Sequence, residues 1–509
     1  MPFLNWISIW AIGIVAYLLA FFIRLGRSPL RQVPGPFVAR FTDAWYLYRT
    51  WKGHFEQDNL ALHRQHGPIV RYGVNRYSID DPLASKTIYG PGSKFAKSTW
   101  YDAWTAPDSP WNLFSDRSIK HHSEARRQYQ STYAMSALIG YESYVDECAE
   151  LFSCRLAELS QGGTSVNIAH WLQCYAFDVI ASITYSKRLG FLDQGEDIAG
   201  LMQTLKSSIS FATLVGIYSR WHPILFRLVS LVPGSGSNGF LHVERFTRSC
   251  INDCKANPRA VHDDHEKSSD SGISFLHKFL DKHQKDPEKF TQYHIFSGCT
   301  ANMAAGSDTT AISLSSILYF LLKNPQSMKK LRDEIDSKQK EGKLSECPTF
   351  KESQDMPYFQ VVIKEALRMH PATGLPLERV VPEGGADLCG QHFPQGTIIG
   401  VNSWVQHRNV GIFGPDADTF NPERWLTDDP AKLSLMNQHW MPFGLGSRTC
   451  IGRHVSMLEI CKLVPRLVRD FDFELAGDLA LPNSEWELKN HWFVFQNNFF
   501  VRVRLRTSQ

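Results

Sequence analysis

In the run Phe443-Gly444-Leu445-Gly446-Ser447-Arg448-Thr449-Cys450-Ile451-Gly452, one cysteine stands among three glycines, an arginine and a phenylalanine. A cysteine sulfur ligates a metal only as thiolate, so such a loop must stabilise negative charge. Glycines carry no Cβ and let backbone N–H groups turn in on the sulfur. Phe443 can keep water away, and Arg448 offers a planar fork of donors for a carboxylate. On haem iron a thiolate ligand pushes electron density toward the metal and favours O–O cleavage. Cys450 alone reads as a buried thiol in a turn; the full spacing points to ligation.

A second chemical pair lies in Ala305-Gly306-Ser307-Asp308-Thr309-Thr310, inside an apolar, small-residue run from about Ile295 to Leu322 that reads as a buried helix. Asp308 supplies an acid and Thr309 a hydroxyl, side by side, where Gly306 weakens the helix. The pair suits proton delivery to oxygen, and a loosened turn leaves room for oxygen and a water. Read blandly, it is a polar kink in a core helix. Further on, Glu365 and Arg368 share one helical face and can pair, a contact worth under ~1 kcal/mol on a surface.

Together these segments resemble the haem-binding loop, oxygen-activation helix and Glu-x-x-Arg helix of the cytochrome P-450 family, in the family's order. The resemblance covers essentially all of the chain after its N-terminus. It implies a mainly α fold with a small β-rich lobe, preceded by one transmembrane helix. It implies haem b ligated by Cys450, with Asp308 and Thr309 in proton delivery. Pro422-Glu423-Arg424-Trp425 resembles the family block whose arginine joins Glu365 and Arg368 in a structural triad. His122 and Arg126, four apart on one helical face, stand where the family places Trp-x-x-x-Arg against a haem propionate. Arg379 matches the family's arginine on the strand after the Glu-x-x-Arg helix. Phe443, Arg448 and Cys450 complete the cofactor set.

Residues 3–23 carry no charge, which is long enough to cross a hydrocarbon core of ~30 Å. Arg24, Arg27 and Arg31 follow at once, so the body is expected in the cytosol. No basic segment precedes the run and no convincing cleavage site follows, against a secretory peptide. Val33-Pro34-Gly35-Pro36 resembles the family's proline-rich linker. The expected organisation is an anchor with basic flank over 1–32, a hinge over 33–36, and a haem-thiolate domain over 37–509. The protein is therefore expected to be single-pass in the endoplasmic-reticulum membrane, with its catalytic domain facing the cytosol.

The 10 cysteines show no CxxC framework, and no Asn-x-Ser/Thr sequon occurs. A net charge of +3 on 509 residues argues for no nucleic-acid partner. Lys120, Arg126, Arg127, Arg453, Lys462 and Arg466 flank the haem-binding segments, and a positive face there would steer an acidic redox protein. No FMN, FAD or nicotinamide domain is recognisable, so electrons are expected from NADPH through a membrane-bound reductase, with cytochrome b5 as a further partner. Helices are expected at 141–160, 168–185, 295–322, 324–339 and 357–369. Strands are expected at 69–72, 78–79, 397–401 and 499–505, and surface loops at 255–272 and 336–348.

The family's pocket positions fall on Trp100–Phe114, Phe211–Val215, Ala301–Ala305, Thr373–Leu375 and Phe495–Asn498. They are mostly apolar or aromatic, which favours a lipophilic substrate. Tyr89–Phe95 and His121–Ala137 resemble the fungal group typified by pisatin demethylase, whose members tailor secondary metabolites. A further resemblance, to fungal abscisic-acid-pathway oxygenases, implies hydroxylation of a sesquiterpenoid. The alternative is O-demethylation or hydroxylation of a phenolic or polyketide metabolite. A further alternative is a haem-thiolate isomerase or dehydratase needing no reductase, against which the Asp308–Thr309 pair counts, and a gas sensor would have no use for that pair.

Overall fold

The computed structural model describes residues 29–232, 234–256, 273–481 and 483–507. The expected anchor over 3–23 and most of the polar stretch 255–272 lie outside the described residues. Among the described residues no helix is long and apolar enough to cross a membrane.

Helices dominate, and their starts are written in side chains that accept the first free N–H groups. α1 (Ile119–Gln130) begins at Ser118, whose hydroxyl accepts from His121 N–H, and α2 (Ile168–Tyr185) at Asn167, which accepts from His170 N–H. The Asp197 carboxylate accepts from Met202 and Gln203 at the head of α3 (Leu201–Ile217). Each such cap stabilises a helix by about 1 kcal/mol. α4 (Gln292–Lys323) opens on a Thr291–His294 capping box and stops at Asn324, before Pro325. α5 (Pro357–Met369) takes proline at its first turn, and α6 (Arg453–Asp470) starts three residues after Cys450. The expected helices match to within a few residues. The expected loop 336–348 begins late, because the helix Pro325–Lys340 carries through its first part.

α4 is the axis of the fold and runs antiparallel to α2. Asn302 donates to Thr184 at 3.0 Å, Gly306 lies on Ile180, and Gln173 donates to Asp308 at 2.6 Å. A Cβ at Gly306 would sit 2.8 Å from Ile180 Cγ1. The glycine therefore permits close helix–helix approach, and α4 runs unbroken through it where a loosened turn was expected. Thr310 Oγ1 bonds Ser456 Oγ at 3.1 Å, fastening α4 to α6. These helices enclose one large apolar core.

The β-rich lobe holds a five-stranded sheet from β1 (Ile69–Gly73), β2 (Arg76–Ile79), β3 (Ala96–Lys97), β4 (Arg379–Val380) and β5 (Ile398–Gly400), in the order β1-β2-β5-β4-β3. β2 and β5 are parallel, and the other pairs antiparallel. The segment expected as a hinge is docked on this sheet. Leu30 and Val33 are buried, Pro34 accepts from Arg71 N–H at 2.8 Å, and a Cβ at Gly35 would strike Arg71 O. A hairpin of β6 (Glu487–His491) and β7 (Phe493–Asn497) turns at Trp492 (φ 84°).

Candidate active site

The cysteine loop is held by backbone geometry that only glycine supplies. Gly444 and Gly446 adopt φ of 70° and 67°, and a Cβ on Gly446 would overlap the Tyr89 carbonyl. Cys450 N–H donates to Phe443 O at 2.8 Å and Thr449 Oγ1 to the same oxygen at 3.1 Å, closing the loop on itself. Phe443 packs edge-on to Trp440. The Cys450 side chain is exposed, yet protein surrounds it on enough sides that desolvation raises its thiol pKa. Opposing that, Gly452 and Arg453 N–H groups donate to the sulfur, and Arg126 and Arg453 favour the thiolate.

Beside the loop lies a concentration of positive charge with little to balance it. Lys97 on β3 and Arg379 on β4 are direct cross-strand partners, an arrangement that like charges oppose. Burial lowers the Lys97 pKa well below its usual value, and Arg379 and Arg448 lower it further. His122, on α1, is pushed down to about 3 by burial, Arg448, Lys97, Arg126 and Arg379. Burial also lowers Arg126, and it lowers Arg448 to about 10 with help from Arg379. The carboxylate that offsets Lys97 and Arg448 is Asp116, which is itself bonded to His121 at 2.6 Å. Among the described residues, the hydrogen bonds of Arg448 go to the carbonyls of Asp116 and Ser118. Lys97 reaches the carbonyl of Phe114 and stands over the rings of Tyr101 and Phe114, at 4.1 and 4.3 Å.

The structure thus brings His122, Arg126, Arg379 and Arg448 together, and adds Lys97 and Tyr101, which sequence reasoning missed. The signal was faint: a lysine in a short edge strand has no helical period to give it away, and its register opposite Arg379 is a tertiary fact.

On α4, Thr309 and the two alanines one and two turns before it, Ala305 and Ala301, share one face. Ala301 and Ala305 are exposed although the helix is otherwise largely buried. The Thr309 hydroxyl donates to Ala305 O at 2.9 Å. Asp308 lies about 100° further round the helix axis. It is buried, with Oδ1 bonded to Gln173 and Oδ2 without a partner, and burial lifts its pKa to about 6. Acid and alcohol are adjacent in sequence but lie on different faces of the helix.

Glu365, Arg368 and Arg424 form the expected structural triad. Glu365 accepts two bonds from Arg368 at 2.7 and 2.9 Å, and one each from Arg424 and Trp425 at 2.9 Å. Part of the expected basic docking face is corrected by the structure. Lys462 and Arg466 are buried, the first paired with Glu142 and Asp146, the second with Glu150. Lys120, Arg127 and Arg453 remain exposed. The expected turn near Phe495–Asn498 is present at Asn498 (φ 56°), between β7 and the strand Phe500–Leu505, but Phe495 to Asn498 line a separate, polar cavity, and a second turn at Trp492 closes the hairpin.

An accessible, N–H-cradled cysteine, a buried cluster of cations short of anions, and a helix face of small residues fit a dianionic haem with thiolate ligation. This is the site of a haem-thiolate oxygenase. The sequence profile of the Cytochrome P450 family matches residues 34–493, and the chain belongs to that family. It is 37% identical over 485 residues to a pisatin demethylase of Fusarium vanettenii, covering 95% of this chain and 92% of the relative. It is 37% identical over 493 residues to the cytochrome P450 monooxygenase cicH of Emericella nidulans, covering 96% of each. It is 32% identical over 506 residues to the monooxygenase gsfF of Penicillium aethiopicum, covering 97% of each. The chain is a cytochrome P-450 monooxygenase of the fungal kind, using haem-thiolate iron and electrons from NADPH through a reductase.

Proposed function

We propose that this enzyme inserts one oxygen atom from O2 into a lipophilic secondary metabolite, with an aromatic ether or aromatic polyketide as the substrate class. The observation that carries this is a wall of rings beside the cation cradle. Trp100, Tyr101, Trp104, Phe114 and Trp492 pack with centroids 4.9 to 6.3 Å apart. Tyr101 interacts with Arg379 and Arg448 of the cradle, and Phe114 is partly exposed. Flat aromatic substrates gain from offset or edge contacts with such rings by about 0.5–1.5 kcal/mol per pair beyond area burial. The relatives named pisatin demethylase support the same direction. A cyclic sesquiterpenoid, including an abscisic-acid precursor, is the competing class and has only burial to gain from the wall.

In this reading Cys450 would ligate the haem iron, Phe443 would shield the sulfur, and Lys97, His122, Arg126, Arg379 and Arg448 would hold the propionates. The haem, when bound, supplies oxygen activation. Thr309 presents a hydroxyl on the exposed face of α4, where it can pass a proton onward, and Asp308, its pKa raised to about 6 by burial, can take up and release a proton close to neutral pH. Residues 3–23 anchor the chain in the endoplasmic-reticulum membrane with the body in the cytosol. Lys120, Arg127 and Arg453 dock the reductase.

A Soret titration of haem-loaded protein tests the substrate class. A shift to high spin with aryl ethers and polyketides, and none with cyclic sesquiterpenoids, is expected; the reverse selectivity overturns the aromatic assignment. For the proton role, Thr309→Ala should release peroxide in place of product, and unchanged coupling would count against it.

A further inference from the structure

β3 and β4 are each two residues long, and one of their facing pairs is Lys97 against Arg379. Two cations across so short a ladder push its strands apart. The next pair in the same antiparallel register is Ser98 against Glu378, and successive side chains of a strand point to opposite faces. Lys97 and Arg379 therefore share the face that carries the cradle, while Ser98 and Glu378 lie behind it. Both are buried, at 0% and 1% exposure, and the Ser98 hydroxyl donates to Glu378 Oε2 at 2.5 Å. The other oxygen, Oε1, accepts from the Tyr72 hydroxyl at 2.9 Å and from the Arg76 guanidinium. Arg76 also donates to Ile217 O at 3.0 Å, at the end of α3. On its second side the Ser98 oxygen accepts from Trp100 N–H at 3.2 Å and caps the turn Thr99–Trp104, which carries Trp100, Tyr101 and Trp104 of the ring wall. That turn is packed onto α3: Trp100 Nε1 donates to Thr213 O at 3.1 Å, and a Cβ at Gly216 would strike Trp100 O.

We propose that Glu378 is a positioning residue, which through the Ser98 hydroxyl holds the propionate cradle and the ring wall in one fixed arrangement. The bond crosses the ladder beside the repelling pair, and a hydrogen bond to a carboxylate is roughly twice as strong as a neutral one. It offsets the tendency of Lys97 and Arg379 to splay and keeps the two cations side by side for an anionic group. Arg76 supplies the counter-charge on the far side, so the carboxylate does not neutralise the cradle it supports. By capping the turn, the same hydroxyl oxygen fixes where the wall begins. The inference rests on the roles of cradle and wall proposed above.

The test compares Ser98→Ala with Tyr72→Phe in the haem-loaded full chain. Each removes one hydroxyl from the same carboxylate, the first on the ladder side and the second on the Arg76 side. The readouts are the urea midpoint, haem transfer to an apo-globin acceptor, and Soret titrations with 4-phenylimidazole and with imidazole. An imidazole nitrogen binds the iron in both probes, so the ratio of the two affinities isolates the contact of the phenyl ring with the wall. Both variants should lower the urea midpoint. Ser98→Ala should also speed haem transfer about tenfold and cut the phenyl preference about tenfold, while Tyr72→Phe leaves both near the wild type. A merely structural role predicts the same haem transfer and the same preference in the two variants, and that result overturns the inference. So does a Ser98→Ala protein with both readouts unmoved. If Ser98→Ala yields no haem-loaded protein, Ser98→Cys takes its place, with a thiol that donates weakly from the same position. Smaller losses of the same kind are then expected, and a change confined to the urea midpoint overturns the inference. The underlying reading fails differently. Unchanged haem transfer in Arg379→Leu overturns the cradle, and a wild type with no phenyl preference overturns the wall. A wild type normal in both, beside an inert Ser98→Ala, overturns the positioning role and leaves cradle and wall standing.

Discussion

Two arginine-rich clusters are buried in this protein, one around Glu365 and one beside Cys450, and only the first balances its own charge. Arg368 places all five of its N–H donors, two on Glu365 and the others on the carbonyls of His407, Ala417 and Thr419. Arg424 does nearly the same with the carboxylates of Glu365 and Asp416 and the backbone carbonyls of Phe413, Asp416 and Thr419. The cradle formed by Lys97, His122, Arg126, Arg379 and Arg448 has Asp116 and a few carbonyls. Desolvation costs both clusters heavily, but only the closed one recovers that cost within the chain. Buried charge that is fully paired is architecture; buried charge left over marks where a ligand supplies the missing sign.

The largest effect should come from opening the closed cluster. Glu365→Ala leaves two guanidinium groups buried without their carboxylate, which costs about 3–5 kcal/mol. The variant should give little or no haem-loaded protein, and urea unfolding of any that forms should show the loss. A midpoint near the wild type's would mean the triad is dispensable.

Opening the cradle should do the opposite to the haem-free fold. Arg448→Leu removes a cation from a repelling group, so the haem-free protein should be no less stable, while haem retention falls. A lost charge-assisted pair is worth about 1.5–3 kcal/mol, or roughly ten- to a hundred-fold in haem transfer to an apo-globin acceptor. Equal destabilisation with and without haem would place Arg448 with the architectural arginines.

Lys97 gives the same contrast through pH. Its folded-state pKa lies below the unfolded one, so the protonated haem-free fold carries a penalty that is relieved as pH rises toward ~10.4. The haem-free protein should therefore gain stability from neutral to alkaline pH, and Lys97→Met should abolish that slope. With haem bound, a propionate pairs the ammonium and the slope should flatten.

The smallest effect separates exposed from buried basic residues near the cysteine. Charge reversal at Lys120, Arg127 or Arg453 should raise the reductase concentration needed for half-maximal turnover by a few-fold at low salt and by nothing at high salt. Neutralising Lys462 should instead lower stability, since its partners Glu142 and Asp146 are internal.

Local sequence carried much of this contrast. Cys450 was legible because loop glycines, a phenylalanine and an arginine must stand at fixed offsets around a ligand. The triad was legible because Glu365 and Arg368 lie one helical turn apart. The helices at 168–185 and 357–369 were legible to the residue, since Asn167 and Pro357 mark their starts. What escaped was set by packing between distant segments. Lys97 joins the cradle through strand register, Lys462 and Arg466 leave the docking face because α6 is buried, and Gly306 answers to Ile180 across a helix contact. The turn at Trp492 escaped because its positive φ falls on a tryptophan, which carries no turn signal.

The central claim is that Cys450 binds haem iron as a thiolate within a cradle built for the propionates. The most direct measurement is the Soret spectrum of the reduced, carbon monoxide-bound protein, for the wild type and for Cys450→His. The wild type should show the strongly red-shifted band of thiolate ligation, and Cys450→His the shorter-wavelength band of nitrogen-ligated haem. A thiolate-type band that survives in Cys450→His would contradict the assignment.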